Sequence, residues 1–256
     1  MSRDFTIEKM LELLIALKSR EYSFVTFEDF ISRDIKKAVI LRHDVDKLPG
    51  NSLKFAELQN ELGISGTYYF RIVKESFNPG IIKKIASLGH EIGYHYEDLT
   101  LAKGDIDKAF ESYRKNLEKL REFYPVQTIC MHGSPLTKWD NKDIWKKYSY
   151  RETGITGEPY FDLDFRKVYY ITDTGRKWDG GGVSVRDKVN SDIHLKFRTT
   201  NQIIEAVLEN KFPDVAMFTL HPQRWTNNAF EWTNELLKQN VKNIVKKVIV
   251  KRKNEL

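Results

Sequence analysis

Short apolar runs alternate with amphipathic segments along this 256-residue chain, and that alternation leaves few folds open to it. Residues 38–41, 66–71, 89–97, 128–131, 168–172, 182–185 and 215–220 read as strands. Residues 51–62, 79–88, 105–123 and 199–208 carry apolar side chains at helical spacing. Ile106, Phe110, Tyr113, Leu117 and Leu120 form one such stripe. Pro79 near a first turn and Gly89 just past an end bound another of these helices. Strands separated by helices in this way make βαβ units and a parallel sheet. About seven such units can close into a (β/α) barrel, with an open doubly wound sheet as the alternative. There is no linker, repeat or low-complexity tract, so residues 1–256 read as a single domain. A helix over 5–20 and a basic helix over 228–252 flank it, and 22–31 reads as an irregular aromatic segment covering one end of the core.

The chemistry concentrates where strands run out. The first long strand leads into Arg42-His43-Asp44-Val45-Asp46. Alternate residues of a strand share a face, so Asp44 and Asp46 can point the same way. Two carboxylates so close stay ionised together only beside something positive. A divalent metal would serve, with one carboxylate as ligand and the other as base. The structural alternative is a strand end whose aspartates cap the next helix or turn. Of the six histidines, His43, His95, His132 and His221 stand at strand ends. In parallel α/β folds these ends form one face, which holds the active site. His90 precedes its strand and is expected at the opposite end, and His194 lies in a polar stretch without a role. An Asp/His cluster suits zinc or a similar ion. The glycines at 180–182 lack the lysine and hydroxyl of a phosphate loop and read as a turn, and there is no Gly-x-Ser-x-Gly elbow. Without a nucleophile, the natural chemistry is metal-activated water.

Composition narrows the context. One cysteine, Cys130, excludes an internal disulfide and a Cys-rich zinc site, and its apolar setting reads as a buried, inert thiol rather than a nucleophile. No run reaches the ~18 apolar residues of a membrane span. The start lacks a signal-peptide pattern, so a cytoplasmic protein is expected. Net charge is +6, from 42 bases and 36 acids. The excess is local: from Lys238 to the end there are seven bases and one acid, 7 − 1 = +6. Such a tail could meet nucleic acid or anionic lipid. However, Val241, Ile244, Val245, Val248 and Ile249 recur at helical spacing and read as a face packed on the body. No aromatic-interleaved basic patch supports a nucleic-acid partner.

Arg42-His43-Asp44-Val45-Asp46, Gly89-His90-Glu91-Ile92-Gly93-Tyr94-His95 and Leu220-His221-Pro222 together resemble three signature motifs of the polysaccharide deacetylases, carbohydrate esterase family 4 (CE4). The resemblance runs from about Val39 to Trp225 and is weak in the middle third. It implies a distorted (β/α) barrel that removes acetyl groups from amino sugars with one divalent metal, zinc, cobalt or nickel. It implies Asp44 as general base, Asp46 and His95 as metal ligands, and His221 as general acid. Arg42, Asp173 and Trp178 would orient Asp44 or His221 or line the substrate pocket, and Trp225 would stack on a sugar or belong to the core. Two departures stand out. The family's second metal histidine falls on Leu99, and its third motif on His132-Gly133-Ser134-Pro135. His132 is then the expected third ligand, with Glu97 as its rival, and a backbone N–H near Gly133 or Ser134 the expected oxyanion donor. The implied partner is an acetylated sugar, and the expected cytoplasmic location suggests a small or carrier-linked precursor in surface polysaccharide synthesis over a finished polymer. The competing readings are an amidase acting on another small molecule and a metal-poor relative that only binds carbohydrate or a partner.

Overall fold

The computed structural model describes residues 3–133, 137–178 and 189–254, with side chains to residue 244. Among the described residues, seven strands form one parallel sheet: β1 (Ser23–Val25), β2 (Ala38–Val45), β3 (Thr67–Phe70), β4 (Glu91–Tyr96), β5 (Ile129–Met131), β6 (Tyr169–Thr172) and β7 (Val215–Leu220). Their order is β5-β4-β3-β2-β7-β6. β1 pairs the first half of β2, Ser23 opposite Ala38, and β3 pairs its second half, Arg42 opposite Thr67. All eight residues of β2 are buried, as a central parallel strand covered on both faces requires.

The sheet curls into a distorted (β/α) barrel. Among the described residues no strand pairing closes it between β5 and β6. There Gly157 bridges Thr128, and Phe165 and Val168 pack onto Phe27, Ile40, Tyr69 and Met217 of the interior.

The helices are α1 (Ile7–Ser19), α2 (Phe27–Ser32), α3 (Pro49–Glu61), α4 (Pro79–Ser87), α5 (Asp98–Leu101), α6 (Ile106–Arg121), α7 (Pro159–Asp162), α8 (Thr200–Leu208) and α9 (Ala229–Asn254). Their starts are written in the sequence. Asn78 accepts from the Ile81 N–H at 3.1 Å ahead of Pro79, and Asp105 accepts from the Lys108 N–H at 3.1 Å. Gly89 follows α4 at φ +83°, a left-handed position that glycine takes without penalty.

Two expectations change. Residues 22–31 are not irregular: they form β1 and α2, because Thr26 caps the helix (3.1 Å to the Asp29 N–H) and the Phe27 N–H donates to Thr67 Oγ1 at 2.8 Å. α9 does lie on the body, but Val241 and Ile244 are exposed, and the buried side chains are Glu235, Gln239 and Asn243. The strand expected at 182–185, the turn at 180–182 and the side chains of Val245, Val248 and Ile249 lie outside the described residues. Among the described residues, no helix is long and apolar enough to cross a membrane.

Gly93 shows how tightly the interior is filled. A Cβ there would overlap the Tyr69 ring and come within 3.0 Å of the Thr128 carbonyl oxygen. Gly93→Ala should therefore cost about 1–3 kcal/mol through overpacking. Thermal unfolding should show a midpoint lowered by several degrees, and an unchanged midpoint would contradict this packing.

Candidate active site

The strand register decides which side chains meet. Arg42 and Asp44 share one face of β2, and Asp46 follows its end. His95 lies on β4, His132 just beyond β5 and His221 just beyond β7. These residues converge at the C-terminal mouth of the barrel.

Arg42 and Asp44 form a fully buried, two-pronged ion pair. Arg42 Nε donates to Asp44 Oδ1 at 2.8 Å and Nη2 to Oδ2 at 2.7 Å. Burial works to raise the Asp44 pKa, but the guanidinium and nearby His95 hold it below the usual carboxylate range. Arg42 also reaches the Tyr160 hydroxyl at 3.3 Å.

Asp46 is held differently. Its Oδ2 accepts from Gln223 Nε2 at 3.1 Å, while its Oδ1 is buried with no hydrogen-bond partner. That oxygen lies 3.5 Å from His132 Nε2 and 3.7 Å from His95 Nε2. His95 Nδ1 donates to the Cys130 carbonyl at 2.9 Å, which leaves the Nε2 lone pair facing the carboxylates. Burial pushes the His95 pKa down to about 4, so the ring is neutral, the form a metal needs. One ligand atom from each of Asp46, His95 and His132 falls within a 4.8 Å span, and an orphaned anionic oxygen between two imidazole nitrogens fits a divalent ion. Asp44, His95 and Cys130 make a second grouping of that size, but Asp44 there is already committed to Arg42.

Behind His132 stands a chain of largely buried charge. His132 Nδ1 donates to Glu97 Oε2 at 3.1 Å, and Arg71 grips Glu97 with Nε to Oε1 at 2.8 Å and Nη2 to Oε2 at 2.8 Å. Arg71 Nη1 also donates to the Asp46 carbonyl at 3.1 Å. Glu97 therefore supports His132 and, among the described residues, is absent from the groups whose ligand atoms converge. Leu99 packs into the core from α5.

His221 has its own support. Its Nδ1 donates to Asp173 Oδ1 at 2.6 Å and its backbone N–H to Oδ2 at 2.9 Å. Arg224 Nη1 and Trp225 Nε1 donate to the same carboxylate at 2.8 Å and 2.7 Å. His221 Nε2 then faces Asp46 Oδ2 at 3.9 Å.

Several expected roles shift. Trp178 and Trp225 are 2% and 1% exposed, so neither has a face to offer a sugar. Trp178 donates to Thr200 Oγ1 at 2.8 Å and stacks on Phe5, while Trp225 anchors Asp173. Arg42 and Asp173 are fully buried and taken up by Asp44 and His221, so they orient those groups rather than line a substrate pocket.

His43 points away from the mouth, because strand alternation puts it on the opposite face of β2 from Asp44. It stacks on Tyr68, donates to the Thr67 carbonyl at 3.1 Å and accepts from Gln59 at 2.8 Å. His90 sits at the other end of its strand as expected, between the Gly66 N–H and the Ala56 carbonyl. His194 is exposed, and Ser134 lies outside the described residues. Sequence reading missed Arg71, Gln223 and Arg224. Gln223 and Arg224 had a signal in position, since they follow the strand end that bears His221, whereas Arg71 follows β3, which carries no other site residue.

No family model and no curated protein matches the chain. Among solved structures it is similar to a CE4 family pseudoenzyme of Bacillus anthracis, at 15% identity over 82% of this chain and 63% of that one, with a TM-score of 0.42. It thus spans less than two thirds of that protein's length. It is similar also to a peptidoglycan deacetylase of Bacillus subtilis, at 10% identity over 86% and 94% of the two chains, TM-score 0.45. A CE4 esterase of Streptococcus mutans matches at 12% identity over 90% of each chain, TM-score 0.46.

The inward turn of His43 has a measurable consequence. Burial pushes its pKa down to about 3, whereas unfolded histidine titrates near ~6.5. Between those values the unfolded chain binds a proton that the folded chain refuses, so stability falls on acidification, by up to ~1.4 kcal/mol per pH unit. Urea unfolding between pH 6 and 4 should show a shallower pH slope for His43→Gln than for wild type. Equal slopes would contradict the assignment.

Proposed function

We propose that this chain is a divergent polysaccharide deacetylase of the CE4 type, which removes an acyl group from a carbohydrate by hydrolysis. The observation that carries the reading is the unpartnered, buried Oδ1 of Asp46 between His95 Nε2 and His132 Nε2. On either side of it stand a carboxylate locked by arginine and a histidine locked by aspartate. Asp46, His95 and His132 would hold a divalent ion, with zinc, cobalt and nickel as candidates. When bound, the ion would supply a Lewis acid that polarises an acyl carbonyl and eases the ionisation of water.

The chain's own residues would do the rest. Asp44, kept ionised by Arg42, would take a proton from the attacking water. In its imidazolium form His221 would donate a proton from Nε2 to the departing amine or hydroxyl, and Asp173 would orient the ring and stabilise its positive charge through Nδ1–H. Arg71 and Glu97 would fix the His132 ring, as carboxylate partners of metal-binding histidines do. A small or carrier-linked acetylated sugar, a precursor of surface polysaccharide, is the proposed substrate. A cytoplasmic setting belongs to the same proposal. The second reading, a carbohydrate-binding relative without catalysis, draws on Leu99 at the position of the family's second histidine.

Acetate release from N-acetylglucosamine oligomers, measured with added zinc, cobalt and nickel, tests the first reading. Asp44→Asn and His221→Ala should each lower the rate by about 10²- to 10⁴-fold while leaving the fold intact. Release that is equal in wild type and both variants, or absent from wild type with every metal, would sink the enzyme reading. Arg71→Met should weaken metal affinity by about 10- to 100-fold, read by competition with a chelator. Unchanged affinity would remove Arg71 from the support of His132.

A further inference from the structure

α9 is docked the opposite way round from an ordinary amphipathic helix. Its inward side chains Glu235, Gln239 and Asn243 are polar and buried. Asn243 Nδ2 donates to the Gly175 carbonyl at 3.0 Å, and Arg176 Nη1 donates to the Trp232 carbonyl at 2.8 Å. Trp232 Nε1 donates to the Asp4 carbonyl at 2.7 Å. These bonds set the rotation of the helix, so its outward face is fixed by the rest of the molecule.

That outward face is apolar. Phe230 is 76% exposed, Leu237 59%, Val241 64% and Ile244 66%. At ~3.6 residues per turn the four fall within an arc of about 60°, opposite the buried polar residues. A contiguous exposed stripe of large apolar side chains marks an interaction surface. Lys238 and Lys242 are exposed on the same turns, and from Lys238 to Asn254 the sequence holds seven bases and no acid.

We propose that this face of α9 binds the surface of an anionic lipid bilayer. Both features of the helix point to that partner. An apolar stripe with lysines along one flank lies in the interface plane, its apolar side chains in the acyl boundary and its charges among acidic headgroups. Pairing with a second copy would set lysine against lysine beside the seam, which disfavours it. Nucleic acid would take up the charge but offers no place for the stripe. The inference is independent of the proposed reaction, since it uses none of the residues at the barrel mouth.

The test is co-sedimentation of the full chain with vesicles of phosphatidylcholine alone and of phosphatidylcholine with phosphatidylglycerol, at low and high salt. Two double variants are compared, Val241→Ser with Ile244→Ser and Lys238→Glu with Lys242→Glu. All four side chains are exposed, so both variants should keep the wild-type circular dichroism. Binding should require phosphatidylglycerol, and should fall about tenfold or more in each variant and at high salt. Three outcomes would overturn the proposal. One is no binding to anionic vesicles at low salt, or binding that both variants retain. Another is a concentration-dependent dimer dissolved by the serine variant, which would assign the face to a second copy. The third is binding to duplex nucleic acid or to an acidic protein with none to vesicles.

Discussion

Two carboxylates two positions apart at the end of a buried parallel strand must be reconciled with each other, and the site is built around how this is done. Both are held below the ordinary carboxylate range against the pull of burial. For Asp44 the compensation is built in: Arg42, also on β2, meets both of its oxygens. For Asp46 it is incomplete, with one oxygen on Gln223 and the other bare. An unpaired buried anion is costly, and the imidazole nitrogens around it are placed to share a cation with it. On the proposed reading that asymmetry divides the pair in role, with Asp44 fixed and ionised by Arg42 and Asp46 left to bind the ion.

The supports behind the site repeat one pattern. His132 rests on Glu97, which rests on Arg71, and His221 rests on Asp173, which rests on Arg224 and Trp225. In each case a histidine presents Nε2 to the mouth because its Nδ1 is engaged by a buried carboxylate neutralised from behind. On the proposed reading, His132 at a strand end stands in for the histidine that the family places where this chain has Leu99, and it has its own support. Arg71 and Glu97 form it, with Arg71 also tied to the backbone of Asp46.

Much of this was legible in the sequence because the signals were local and physical. Parallel strands buried on both faces leave continuous apolar runs, so β2 and β7 and the residues at their ends could be read directly, while β4 was carried by its Gly-His-Glu-Ile-Gly-Tyr-His motif. Other features depend on which way a face turns. β1 is three residues long and exists by pairing with β2, so its own sequence could not announce it. Trp178 and Trp225 have the composition of a sugar platform, and only their burial makes them structural. The periodicity of α9 identified a helix with an apolar face but could not say which face meets the body, because hydrogen bonds of Asn243 and Trp232 decide it. Glu97 was a candidate ligand by residue type, and Arg71, invisible to motif reading, turns it into a support.

The most direct test of the central claim is the metal content of the purified chain by elemental analysis, in wild type and in His95→Ala and His132→Ala. The account predicts about one divalent ion per wild-type chain, lost in both variants. A wild-type chain that holds no ion and takes up none when zinc, cobalt or nickel is supplied would contradict it, as would a His132→Ala chain that keeps its ion.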